Sequence, residues 1–188
     1  MAHEGAEVTG TDWAGFADRI AKHAANYLDG LERVAAGDAD EALVPFLLLE
    51  VSQISLTGAQ LGASEDVVPV GNIEPPHALE GDVDAVRQGL ASRLKDVDEY
   101  AEVFDPYEPK PELAPYRLSD DLADIAADLT HGLRHYETGN KIEALWWWQY
   151  SYFNHWGNHA GAALRALQAV VSHARLDVGA EEGVDELS

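Results

Sequence analysis

The chain has 188 residues, enough for one domain with its own core. Its 34 acidic against 12 basic residues leave a formal charge of -22, which repels phosphate backbones and anionic lipid and speaks against nucleic-acid or membrane-surface binding. It has no cysteine, which excludes disulfides, thiolate metal sites and cysteine nucleophiles, while a hydrophobic content of 46% is that of a folded globular protein.

Residues 1–10 are polar and read as a flexible N-terminus without the basic-then-apolar pattern of a secretory signal. No apolar run reaches the roughly 18 residues of a membrane span, so the expected location is cytoplasmic. Thr11 or Asp12 caps a first helix. Trp13, Phe16, Ile20, Ala24, Tyr27, Leu28, Leu31 and Val34 follow at three- and four-residue steps, and Gly37 ends it. A second helix is expected from Asp38 or Asp40 to Leu61, with Pro45 early enough to be harmless. Its segment Phe46 to Ile54 is apolar on most sides, as in a central helix. Residues 62–80 hold three prolines and two glycines and read as a long loop. A third helix is predicted over Val83 to Val103, with a possible break near Val97, and a proline-stiffened loop covers Phe104 to Pro111. Ser119 is expected to cap a fourth helix that carries Asp120 and Asp121 in its first turn and ends at Gly139. A fifth runs from Lys141 to His173, unbroken or in two pieces near Gly157. Residues 176–188 read as an acidic disordered tail. No convincing strands are visible. The predicted fold is therefore all-α, a single-domain bundle of about five helices over residues 11–175 with a long, aromatic-rich C-terminal helix.

That last helix holds four of the five tryptophans, three of them consecutive at Trp146, Trp147 and Trp148. At about 100° per residue they cannot all face one core. Ile142, Leu145, Phe153, Trp156, Ala160, Leu164 and Leu167 form the predicted core stripe, with Trp146 at its margin. Trp147 falls on the polar side with Glu143, Asn154 and Arg165, where either the proline-rich loop or a protein partner would cover it. Trp148 falls on a flank with His155 and His159. Gln149 lies in the core stripe and needs hydrogen-bond partners. Glu50 is the candidate, so that Glu50 and Gln149 form either a structural network or the floor of an aromatic-walled pocket between the second and fifth helices. The candidate ligand or partner contacts are thus Glu50, Gln149, Trp147, Trp148, Tyr152, His155 and His159.

His155 and His159 stand at i and i+4, a spacing that can chelate one ion. On the fourth helix Asp121, Asp124, Asp128, His131 and His135 form one stripe opposite Leu122, Ile125 and Leu129. The plain reading of that stripe is a solvated acidic face. The metal reading would draw on His155, His159, Asp128 and His131, and it gains weight only if the two stripes meet across a helix pair. No phosphate loop, serine elbow or catalytic constellation is present, and no cofactor is expected.

Four segments, Val44 to Gln53, Glu102 to Pro109, Leu118 to Asp128 and Glu143 to Gln149, together resemble the bacterial, mainly actinobacterial, DUF5063 family of unknown function. The resemblance covers residues 12–175 and implies no activity and no catalytic residues. The expected role is that of a non-enzymatic helical protein that works by protein–protein contact, with itself as a homodimer or with another protein. The alternative is a small-ligand- or metal-binding bundle.

Overall fold

The structure is a computed structural model that describes residues 12–38, 42–69, 71, 81–103 and 106–185, without the side chains of 81–82 and 177–185. The expected flexible segment 1–10 lies outside the described residues.

Helix α1 spans Trp13–Ala36 and buries the predicted stripe, including Phe16, Ile20, Ala24, Tyr27, Leu31 and Val34. Asp12 caps it by accepting the Gly15 N–H at 2.9 Å. Gly37 closes the other end at φ 96°, a left-handed conformation that glycine adopts without strain. Helix α2, Leu43–Ala63, starts later than expected and has no side-chain cap. By length and mean hydropathy, 1.2, it is apolar enough to cross a bilayer. Here its inner residues Leu47, Val51, Ile54 and Leu61 are buried, and α2 packs mainly on α1 and on α6 (Gly157–Asp185). It is not the central helix, since Leu49 and Leu56 are 69% and 55% exposed.

Helix α3 covers Gly81–Leu94 and leads through one 3-10 turn, Lys95–Val97, into a strand. The helix predicted to reach Val103 therefore stops at Leu94. Strand β1, Glu99–Val103, pairs antiparallel with β2, Leu113–Arg117, so that Glu99 faces Arg117 and Val103 faces Leu113. Five residues are too few for periodicity to separate strand from helix, and pairing across the proline-rich turn decided it. Pro115 is tolerated because a two-stranded ribbon has only edges.

Helix α4, Leu118–Glu137, packs against α1, α3, α6 and α5 (Lys141–Ser151). Ser119 does not cap it. The capping group comes from Asp98, ahead of the hairpin and 2% exposed. Asp98 accepts the Ser119 N–H at 2.8 Å, the Ser119 hydroxyl at 3.0 Å and Arg117 Nη2 at 2.9 Å. Its carbonyl takes the Leu118 N–H at 2.8 Å. One carboxylate thus joins the hairpin to the start of α4.

Helices α5 and α6 form one rod joined by a widened π turn, Tyr152–Trp156. A Cβ at position 157 would collide with the Tyr152 carbonyl and ring, so Gly157 makes room for the extra residue of that turn. Leu145, Trp156, Ala160 and Leu167 are buried as predicted. Phe153, expected in the core, lies inside the π turn and is 58% exposed. Glu143, expected on the polar side, is buried. The tail expected to be disordered from residue 176 continues as helix through Asp185.

Asp98→Ala is expected to lower unfolding stability by about 2–3 kcal/mol, because it removes a buried cap and strands the Ser119 donors. Urea unfolding measures it, and a loss below roughly 0.5 kcal/mol would contradict the capping role.

Candidate metal centre

The acidic stripe of α4 is not a solvated face. It lies against the first turns of α6, and the two stripes meet. Asp121 is 1% exposed, and its Oδ1 lies 2.7 Å from His159 Nδ1. Seven residues along α4, Asp128 Oδ2 lies 2.7 Å from His155 Nδ1. An ionised carboxylate can only accept, so each imidazole donates Nδ1–H and, when neutral, presents a bare Nε2. Between the two aspartates, Asp124 Oδ2 stands 3.9 Å from His159 Nε2. Asp124, His155 and His159 each offer a ligand atom within 4.8 Å of the other two. The imidazoles meet edge to face, with centroids 4.8 Å apart.

The surroundings hold this set in place. Arg87 of α3 reaches Asp124 Oδ1 and Asp120 Oδ1, both at 3.0 Å, which leaves Asp124 Oδ2 toward His159. The Tyr100 hydroxyl of β1 donates to Asp121 Oδ2. Burial, then the bond to Asp121, raises the Tyr100 phenol far above its ordinary range, so it remains a donor. Burial, the largest single effect, pushes His159 down, but the Asp121 bond and the charges of Asp121, Asp124 and Asp128 outweigh it and the net shift is upward. Burial raises Asp128, and the His155 bond only partly offsets this. Three carboxylates crowd a half-covered spot, and the nearest arginine is shared with a fourth.

His131 does not join the set. It lies on the other flank of α4, stacked on Trp147 at 3.9 Å between centroids. Trp147 itself is half-buried, and its Nε1 donates to the Asp128 carbonyl at 3.0 Å. So α4 covers one side of it. Trp148 does not flank the histidines. It is fully buried against Gly132 of α4, where a Cβ would overlap the indole, and its Nε1 donates to the Leu129 carbonyl at 3.1 Å. Tyr152 packs on Trp156 and over Gly58 of α2.

Glu50 and Gln149 do not meet. Gln149 Nε2 donates to the Leu61 and Glu65 carbonyls at 3.0 and 3.1 Å, and its Oε1 accepts the Val67 N–H at 2.8 Å. It therefore ties the end of α2 and the following loop to α5, as a structural network. Glu50 lies beside Gly30 of α1, in a hollow it shares with His23, Asn26 and Gln53. The pocket expected between the second and fifth helices is filled by Gln149, Trp156 and Tyr152. A different cleft, about 190 Å³, borders the cluster: His159 and Arg165 of α6 line one side, Glu102 and Tyr116 of the hairpin the other. Neither Arg87 nor Tyr100 carried any signal in the sequence, because each reaches the site from a distant element.

The molecule is a single helical domain with a histidine–aspartate cluster between its fourth helix and its C-terminal rod. Residues 11–173 match the family described as Domain of unknown function (DUF5063), and the chain belongs to that family. Among solved structures it is similar to protein BF1032 from Bacteroides fragilis, with a TM-score of 0.65 and 23% identity over 80% of this chain and 89% of that one. That likeness shows the fold. No curated protein matches the chain.

The Glu50 carboxyl is raised above its ordinary range by burial, which the nearby Arg33 charge opposes and Asp29 adds to. A raised acid contributes stability that is complete below its unfolded pKa and is lost as pH rises through its folded one. Glu50→Gln is therefore expected to be more stable than the wild type at neutral pH, by about 0.3 kcal/mol after solvent screening, and equal to it below roughly pH 3.5. Melting curves at both pH values test this. A variant less stable at pH 7 would contradict it.

Proposed function

We propose that this protein binds a divalent transition-metal ion through Asp124, His155 and His159. The observation that carries the reading is the pair of imidazoles whose Nδ1 atoms are each held by a separate buried or half-buried carboxylate, Asp121 and Asp128. Histidine ligands in metal sites are characteristically oriented in this way by a carboxylate on the other ring nitrogen. Two imidazoles and one carboxylate suit Zn²⁺ or Fe²⁺ better than Mg²⁺ or Ca²⁺, which prefer all-oxygen shells. Ligand atoms in a tetrahedral zinc site are about 3.3 Å apart, given bonds of about 2.0 Å. The 3.9 Å between Asp124 Oδ2 and His159 Nε2 is within a small side-chain movement of that value. Bound cation charge would offset the three clustered carboxylates.

Three protein ligands leave a coordination position open, which is the arrangement of a site that receives a small molecule and not of a closed structural one. His155 is 48% exposed at its side chain, and the 190 Å³ cleft adjoins His159, so that position is accessible. A cavity of about 150 Å³ holds a benzene-sized molecule, so the cleft suits a ligand only slightly larger. The reading replaces the expectation of no cofactor and favours ligand or metal binding over protein contact for this end of the rod.

Titration with Zn²⁺ or Co²⁺, followed by calorimetry and by the visible spectrum of Co²⁺, tests it. His159→Ala and Asp124→Ala are expected to weaken binding at least ~100-fold, and Asp121→Asn, which leaves the ligand set intact, by about 10- to 100-fold. Binding no tighter than roughly 1 mM, or binding indifferent to these substitutions, would sink the proposal.

A further inference from the structure

The outer face of α2 is unlike the rest of this acidic chain. Pro45, Leu49, Ser52, Leu56, Ala59 and Ala63 are all exposed, and their spacing is four, three, four, three, four. That is the 3.5-residue repeat by which one helix keeps a single seam toward another. The inner face of α2 is already used by α1 and α6, so the seam is a second, independent stripe. None of its six residues is charged, and Glu50 is the single ionisable side chain in the whole of α2, in a molecule of net charge -22.

From these observations we propose that α2 is a self-association surface, on which a second copy of this chain docks antiparallel across a two-fold axis midway between Ser52 and Leu56. The stripe is self-complementary about that point. Reversal of the helix there sets Pro45 opposite Ala63, Leu49 opposite Ala59 and Ser52 opposite Leu56, so every seam residue meets another seam residue, as an isologous contact requires. Each leucine then faces a small side chain of the other copy, which leaves room for it to interdigitate. The charge pattern selects the occupant. A basic partner finds no carboxylate on this stripe to attract it, and an anionic bilayer is repelled by the whole chain. Two copies of the same acidic protein, by contrast, approach with least repulsion where neither carries charge. Phe153, turned outward by the π turn, lies 3.6 Å from a Cβ built on Gly62 and extends the apolar surface at the end of α2. The seam is about 27 Å long and offers six residues on each side, fewer than the roughly 20–30 of a standard interface, so the dimer is concentration-dependent. It is independent of the metal reading, because α2 contributes no ligand to that site.

Sedimentation velocity from about 5 to 500 μM is expected to show a shift from monomer to twice the monomer mass. Leu49→Lys with Leu56→Lys, at positions already exposed, is expected to keep the circular dichroism and metal titration of the wild type and to remain monomeric. Because the chain lacks cysteine, single cysteines report the geometry directly. Ser52→Cys is expected to be joined into a dimer by a short bis-maleimide, whereas Ala63→Cys is not, since an antiparallel seam sets those two residues about 27 Å apart. A monomer throughout the range, a dimer that survives both lysines, cross-linking through Ala63→Cys, or a monomer that binds neutral phospholipid vesicles through α2 would each overturn the proposal.

Discussion

An ionised carboxylate withdrawn from water costs several kcal/mol unless donors replace its lost hydration. Asp121 is in that position, with 1% of its surface exposed. One oxygen faces the His159 imidazole and the other takes the Tyr100 hydroxyl. The need to satisfy this one group fixes three elements together: α4 that carries it, α6 that supplies the imidazole and the hairpin that supplies the phenol. The cleft beside His159 exists because the hairpin is held at this distance from α6. Asp98 anchors the open end of the same hairpin to the start of α4, by the same principle of a buried acid whose acceptors are all used.

The wide turn at Tyr152–Trp156 has consequences on both sides of the rod. An extra residue in a turn shifts the phase of the helix beyond it, and such insertions recur at functional sites. Toward α4, His155 lies within the turn and His159 just beyond it, and the two rings converge on Asp124. Toward α2, the same turn carries Phe153 out of the core while Tyr152 and Trp156 fill the space over Gly58. The run of three tryptophans serves this geometry without supplying a ligand atom. Trp147 and Trp148 donate to consecutive carbonyls of α4, at Asp128 and Leu129. They lock α5 to α4 in a single register, so that the histidines further along the rod come opposite the aspartates.

Much of this was legible in the chain itself. The stripe of α1, its two caps, the burial of Trp156 and Gln149, and both halves of the cluster are local patterns of spacing and residue type, and those are properties of sequence. The differences between the local patterns and the structure have one origin. Glu99 to Val103 reads as helix in isolation because its partner strand begins ten residues beyond its end. Ser119 looked like a cap because the true capping group, Asp98, reaches it from beyond the hairpin. Gln149 points to Glu50 because that acid interrupts the most apolar helix, whereas its partners are backbone groups at the end of α2 and in the loop beyond it. Phe153 followed an unbroken wheel, and no sequence signal distinguishes a π turn from an α turn apart from the glycine that permits it at position 157.

The sequence by itself determined a mainly helical domain, most of the residues that line its core and two sets of potential ligands on separate helices. Helical periodicity is a matter of neighbours three and four residues apart, and no other part of the chain is needed to read it. Whether the carboxylates face solvent or imidazoles was decided only by the tertiary structure. It depends on which helices pack, in what register and with what wide turn between them. Those relations are set by contacts between residues far apart in the chain, such as Trp148 against Gly132 and Arg87 across to Asp120 and Asp124.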